Sequence, residues 1–215
     1  MTGINKKRVL NAGSGLSGHG RLPSPFSPDL WEEVRLDADP ATAPDVVASL
    51  VDMRGKIADA SFDAIYSSHA IEHLYTHEVI PALREFRRVL KPEGFALVTC
   101  PDLAAIARQL LQHGAETIAY HSPAGPIRPI DMLYGHAQSI ANGRAMMAHR
   151  TGFTAERLAR VALASGFTEI RATEGSCFDI WTALTGPQAP VAAIAAMFEG
   201  SDLARLFAPQ AVQGP

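Results

Sequence analysis

The stretch VLNAGSGLSG, residues 9–18, constrains this chain more than any other. A short apolar run enters the turn Gly13-Ser14-Gly15, and an acid, Asp37, closes a second apolar stretch farther on. Glycine has no Cβ, so a strand that ends in such a turn lets a ligand lie directly against backbone. An acid at the end of the neighbouring strand can accept hydrogen bonds from both hydroxyls of a ribose. Together they imply two adjacent strands and a ligand that carries an adenosine.

The rest of the chain alternates strand and helix patterns. Residues 7–12, 32–38, 62–68 and 95–100 read as strands, with a short third strand over 45–52 that ends at Asp52. Residues 76–90 place Val79, Ile80, Leu83, Phe86, Val89 and Leu90 at helical spacing. Pro92-Glu93-Gly94 reads as a turn before the next strand, and 103–112 as a helix. Residues 154–165 read as a helix capped by Thr154 and ended by Gly166. The strands expected over 167–173 and 178–184 are too close for a helix between them, so they should pair antiparallel. The expected fold is α/β: a Rossmann-like, doubly wound, mostly parallel seven-stranded sheet with an antiparallel last strand. Residues 1–186 form one domain in this reading, with an inserted lid around 114–150. Residues 187–215 add a C-terminal helix and a frayed tail.

At 215 residues and 47% hydrophobic content, the chain can build a full core. The net charge of −3, with only small basic groups at Lys6-Lys7-Arg8 and between Arg84 and Lys91, argues against nucleic acid as a partner. Cys100 and Cys177 form neither a disulfide framework nor a CxxC pair, so no structural zinc is expected. No run is apolar enough for a membrane span, and the first strand starts too early for a signal peptide. The expected setting is cytoplasmic.

Gly13, Gly15 and Gly18 formally spell GxGxxG, so a NAD-dependent oxidoreductase is one alternative. That fingerprint needs a helix whose first amides hold a pyrophosphate. Here HGRLPSPFSP follows, and its prolines cannot continue a helix. An adenosine cofactor without a pyrophosphate fits better, such as S-adenosyl-L-methionine (SAM).

The chain resembles class I SAM-dependent methyltransferases, in particular the small type 11 enzymes. The likeness rests on VLNAGSG, on LDADP, on DMRGKIADASFDAIYSSHAIEHL, on LREFRRVLKPEGFALVTCPD and on AERLARVALASGFTEIRA. It implies that Asn11, Ala12, Gly13, Ser14 and Gly15 bind the methionine and ribose parts. It implies that Asp37 and Ala38 meet the ribose, that Asp52 accepts from the adenine amino group, and that Met53 packs on the ring. Ser68 and His69 would stand near the sulfonium. Asn11 departs from the family, which has an acid there, and the first helix is degenerate. A non-catalytic SAM-binding module is therefore a second alternative.

His69-Ala70-Ile71-Glu72-His73 also spells HxxEH, the inverted zinc-protease motif. That motif needs both histidines on one helix face and a further ligand. His69 ends a strand, so no metal is expected, and His73 and His77 read as packing or solvated residues. The acceptor side is expected in the lid, where residues 131–153 gather Asp131, Tyr134, His136, His149 and Arg150. His69, His136 and His149 are the candidate general bases. The resemblance thus implies methyl transfer to a small molecule or glycan, preferably at oxygen, with S-adenosyl-L-homocysteine as product; a homodimer is left open.

Overall fold

The computed structural model describes residues 5–16 and 22–208. Five parallel strands come first: β1 (Lys7–Ala12), β2 (Trp31–Asp37), β3 (Val46–Val47), β4 (Phe62–Ser68) and β5 (Leu90–Pro101). A small hairpin, β6 (Tyr120–Ser122) and β7 (Gly125–Ile127), stands apart from them. β8 (Glu169–Glu174) and β9 (Asp179–Thr185) complete the main sheet, whose order is β3-β2-β1-β4-β5-β9-β8. β9 runs antiparallel to both β5 and β8. This is the expected α/β fold, a mostly parallel seven-stranded sheet with an inserted antiparallel strand.

Two strand boundaries differ from expectation. β3 is only two residues long, because Ser49 turns the chain by accepting the Val51 N–H on its hydroxyl at 3.2 Å. Asp52 therefore sits in the turn that follows rather than at a strand end. Pro92-Glu93-Gly94 does not end an element but lies within β5. The register jumps there from Phe62 opposite Leu90 to Ala64 opposite Phe95, so the extra residues bulge out of the ladder.

The helices are α1 (Val79–Val89), α2 (Leu103–His113), α3 (Pro129–Tyr134), α4 (Ala137–Ala141), α5 (Ala155–Ala164) and α6 (Val191–Met197). Asp102 and Thr154 cap α2 and α5 through their side chains. α1 buries Val79, Leu83, Phe86 and Val89, the stripe its spacing implies.

Alternation along the strands splits the core in two. Leu10, Ile65, Ala96 and Val98 face one side, where they meet α1 and α5 through Phe86, Leu158 and Ala162. Val9, Ala64, Tyr66, Phe95 and Leu97 face the other. No helix follows β1 among the described residues, and that second face is covered by other means. Phe26 approaches it from the loop before β2 and Trp31 from the start of β2, while Ile194, Phe198, Leu203 and Leu206 come from the C-terminal segment. The segment is therefore half of a core: α6 and a 3₁₀ turn over Asp202–Phe207 are packed, and full burial of Phe198 contributes about 1.5–3 kcal/mol. The insertion after α2 is also ordered. It holds the β6–β7 hairpin, α3 and α4, and it packs Ile127 and Met132 on Ile106 of α2.

Candidate functional site

The glycine turn is fastened to β2. The N–H groups of Gly13 and Ser14 both donate to Leu36 O, at 2.8 and 3.0 Å. The N–H of Gly15 donates to Asp37 Oδ2 at 2.8 Å, and Asp37 Oδ1 accepts from the Asp39 N–H at 2.9 Å. Arg35 closes the arrangement from outside, donating to Gly15 O at 2.5 Å and to Ala43 O at 3.0 Å. Gly13 has φ +77°, and a Cβ there would meet Ala70 Cβ at 2.4 Å, so this position admits only glycine. Gly15 has φ +60° and nothing within 4 Å of where its Cβ would be, so its backbone is open on that side. The Ser14 hydroxyl is buried and has no hydrogen-bond partner among the described residues. Gly18 lies outside the described residues.

Asn11, the departure noted in the sequence, is buried and donates its amide to Glu33 Oε1 at 2.7 Å. An acid at this position would face the Glu33 carboxylate, which explains the amide in this chain. Ala12 is fully buried at the end of β1, and Ala38 is exposed just after β2.

The next two expected residues stand differently from each other. Asp52 is exposed, and Arg54 holds it with two side-chain hydrogen bonds of 2.8 and 3.0 Å. Those bonds, then the Arg54 backbone N–H, bring its carboxyl down to about 2. Met53 is fully buried in the core, and its N–H donates to Glu85 Oε2 at 2.7 Å. Its side chain thus offers no open face for a ring to lie on, because the cluster under β3 and α1 consumes it. Glu85 is a residue the sequence reading missed. Its signal was an acid inside the apolar stripe of α1, and Arg88 answers it with bonds of 2.7 and 2.8 Å. The Arg88 pairing holds the Glu85 carboxyl below its ordinary value against the cost of burial.

At the exit of β4 the chain makes a sharp change. Ser68 ends the strand half-buried, and His69 follows in the left-handed region with φ 48°. Its N–H donates to Thr99 O at 2.9 Å, which ties it to β5. A 3₁₀ turn, Ile71–His73, comes next. Glu72 in that turn is 1% exposed, and neither carboxylate oxygen has a hydrogen-bond partner among the described residues. His69 Nδ1 approaches Glu72 Oε1 to 3.3 Å, an ionic contact off the line of a hydrogen bond. Burial opposes charge on His69, but Glu72 and the more distant Asp179 outweigh it and raise its pKa. Burial likewise works against the Glu72 charge, and His69, His73 and His149 outweigh it and lower that pKa.

The insertion after α2 returns to this point. The N–H groups of Arg150 and Thr151 donate to Glu72 O at 2.8 and 3.2 Å, and Arg150 Nη1 donates to His73 O at 3.1 Å. This brings His149 beside His73, with ring centroids 5.0 Å apart. Burial lowers the His149 pKa despite the pull of Glu72. His136 is not part of this group; its Nδ1 contacts the Ser139 hydroxyl at 2.8 Å at the start of α4. Asp131 is buried and spent within the insertion, accepting from Arg128 and from the Ala137 N–H. Tyr134 is largely exposed.

Asp179 was also missed by the sequence reading. It is buried at the start of β9, where it accepts from the Trp181 indole at 2.7 Å and the Cys177 N–H at 3.0 Å. An open groove of about 350 Å³ between α2 and the β8–β9 turn is lined by Asp102, Arg108, Gln109, Glu174, Phe178 and Asp179.

Comparison with known proteins agrees with this fold. Residues 18–98 match a family model described as a methyltransferase domain. No curated protein sequence matches the chain. Several solved structures share the fold. A TehB-like SAM-dependent methyltransferase from Corynebacterium glutamicum matches 84% of this chain and 80% of its own, with TM-score 0.50 and 18% identity. A SAM-dependent methyltransferase from Thermotoga maritima, described as a possible histamine N-methyltransferase, matches 84% and 82%, with TM-score 0.53 and 14% identity. The CMeT domain of the citrinin polyketide synthase matches 86% of this chain, with TM-score 0.54 and 15% identity. This chain spans only 47% of that last structure.

Proposed function

We propose that this chain is a SAM-dependent methyltransferase of class I fold that transfers the methyl group of SAM to a hydroxyl of a small molecule or glycan. The observation that carries the cofactor reading is the glycine turn closed on Asp37. Gly15 leaves backbone open to a ligand, and the buried Ser14 hydroxyl lacks a partner among the described residues. These features fit an adenosyl amino acid. Asn11, Ala12, Gly13, Ser14 and Gly15 form the floor of the site in this reading, with Asp37 and Ala38 at the ribose. Asp52 marks the adenine end, where Met53 supports the wall from within the core. Ser68 and His69 stand at the methyl-transfer end.

When bound, SAM supplies a methyl already activated by a sulfonium. The protein's part is to hold the acceptor oxygen in line with the S–C bond, to exclude water and to take a proton. His69 suits the last task. Its Nδ1 is turned to Glu72, which leaves Nε2 as the outward nitrogen, and the side chain is 47% exposed. With SAM bound, an acceptor oxygen so held would take the methyl, and the S–C pair would remain with the sulfur. The acceptor proton passes to His69 Nε2, and Glu72 stabilises the resulting imidazolium. His149 and His136 are the lid's contributions to the acceptor side. The charge balance argues against nucleic acid as acceptor. No helix among the described residues is long and apolar enough to cross a membrane.

Calorimetry with SAM, S-adenosyl-L-homocysteine and NADH tests the cofactor. Micromolar binding of both adenosyl ligands with no NADH binding is the expected result; binding of NADH alone would sink the reading. An acceptor screen that follows S-adenosyl-L-homocysteine release tests the acceptor atom. Turnover on hydroxyl acceptors should fall about 100-fold or more in His69→Ala. Turnover confined to amine or carbon acceptors would overturn the assignment to oxygen.

A further inference from the structure

The group at the β4 exit contains more than a base needs. Glu72, His73 and His149 each offer a ligand atom, and these atoms lie within 4.8 Å of one another. Glu72 is enclosed, yet neither of its oxygens is hydrogen-bonded by a described residue. A buried carboxylate without hydrogen bonds is costly unless a cation compensates it.

The two histidines are prepared in the same way. His73 Nδ1 lies 3.2 Å from Ala148 O, and His149 Nδ1 lies 2.9 Å from Met132 O. A carbonyl can only accept, so each Nδ1 carries the proton and each lone pair is left on Nε2. A carbonyl behind one ring nitrogen is the outer partner that orients metal-bound imidazoles. Here two such carbonyls come from the lid, from segments on either side of α4. The Glu72 carbonyl, held by the Arg150 and Thr151 N–H groups, fixes the third member to the same lid.

We propose that Glu72, His73 and His149 form a binding site for one divalent first-row transition metal, of which zinc is the best fit. Two imidazoles and one carboxylate suit zinc, iron or manganese rather than calcium or magnesium. A His₂Glu set leaves at least one coordination position open, as catalytic zinc sites do. Bonds of about 2.0–2.2 Å require the ligand atoms to draw in by roughly an ångström, a side-chain adjustment. The HxxEH sequence takes part differently from the zinc-protease pattern. His73 rather than His69 joins Glu72, and the second imidazole comes from residue 149. His69 stays outside, in contact with Glu72 Oε1. On the reading proposed above, from which this last point follows, the open position faces the acceptor hydroxyl and lowers its pKa.

The full chain, free of any affinity tag and stripped with EDTA, should be titrated with Zn²⁺ against a chromophoric chelator and with Co²⁺ by visible absorption. The expected result is one equivalent bound, with a Co²⁺ ligand-field band. His149→Ala and Glu72→Gln should each weaken Zn²⁺ binding by at least about 10-fold, the lower end of what removal of an outer partner alone causes. His121→Ala, on the exposed side of the small hairpin, should leave it unchanged. Absence of a stoichiometric site, or equal affinity in His149→Ala, overturns the proposal. If Glu72→Gln does not fold by circular dichroism, His149→Ala decides alone. SAM calorimetry on the same metal-free samples separates this result from the cofactor reading, because retained SAM binding without a metal site sinks only the metal.

Discussion

The two ends of the site are built by opposite means. At the β1–β2 end, the glycine turn is held by backbone: two N–H groups share Leu36 O, and a third reaches Asp37. At the β4 exit, side chains do the work, and an enclosed carboxylate is surrounded by three histidines. The first arrangement stores little electrostatic energy and tolerates a ligand of mixed polarity. The second is costly unless its charges are matched, and it concentrates field where a proton or an acceptor oxygen would be handled. One contact joins them: Gly13 lies directly against Ala70, the residue after His69.

That contact gives the sharpest way to break the distinction. Gly13→Val places a branched side chain at positive φ and into Ala70. We expect a stability loss of about 3 kcal/mol or more, and SAM binding reduced beyond detection by calorimetry. Retained binding would mean that the two ends are not coupled through this point. Asp37→Ala should act on one end only. SAM affinity should fall about 10–100-fold with little change in melting temperature, since bonds to a charged group are lost at a half-buried site.

Glu85→Gln probes the wall between them. The Glu85 carboxyl lies below its ordinary 4.5, so its contribution is complete above that pH and is lost as pH falls through the lowered value. Urea unfolding should show the variant about 1–3 kcal/mol less stable at neutral pH, with the gap closing in acid. A gap independent of pH would assign the loss to packing instead. The smallest effect is expected for Arg150→Ala, which removes the bond to His73 O and the cation–π contact over Tyr75 at 4.8 Å. Stability should change by under about 1 kcal/mol, while KM for the acceptor rises as the lid return loosens.

The sequence was most informative where structure is local. β1, β4, α1 and α5 followed from apolar spacing and caps, and the nearness of the glycine turn to Asp37 followed from two strand ends that must be neighbours. β3 was overestimated because Ser49 turns the chain before its apolar residues run out. The β5 bulge was read as a stop because a Pro-Glu-Gly string usually is one. At the second end, HxxEH was visible, but its partner was not. His149 is brought to Glu72 by hydrogen bonds from Arg150 and Thr151 across more than seventy residues, and nothing local announces them. A left-handed His69 followed by a 3₁₀ turn also breaks the helix-face rule by which that motif is usually judged.

The rings of Phe26, Phe95 and Phe198 meet within 6.4 Å of one another, drawn from an early loop, a central strand and the C-terminal segment. During synthesis, therefore, a nascent chain that has already made every strand of the sheet still displays Val9, Ala64 and Leu97 to water. That face closes only when residues 191–207 emerge and fold back. A chain stalled after β9, before residues 191–207 are made, would therefore present that apolar face to chaperones rather than a closed core.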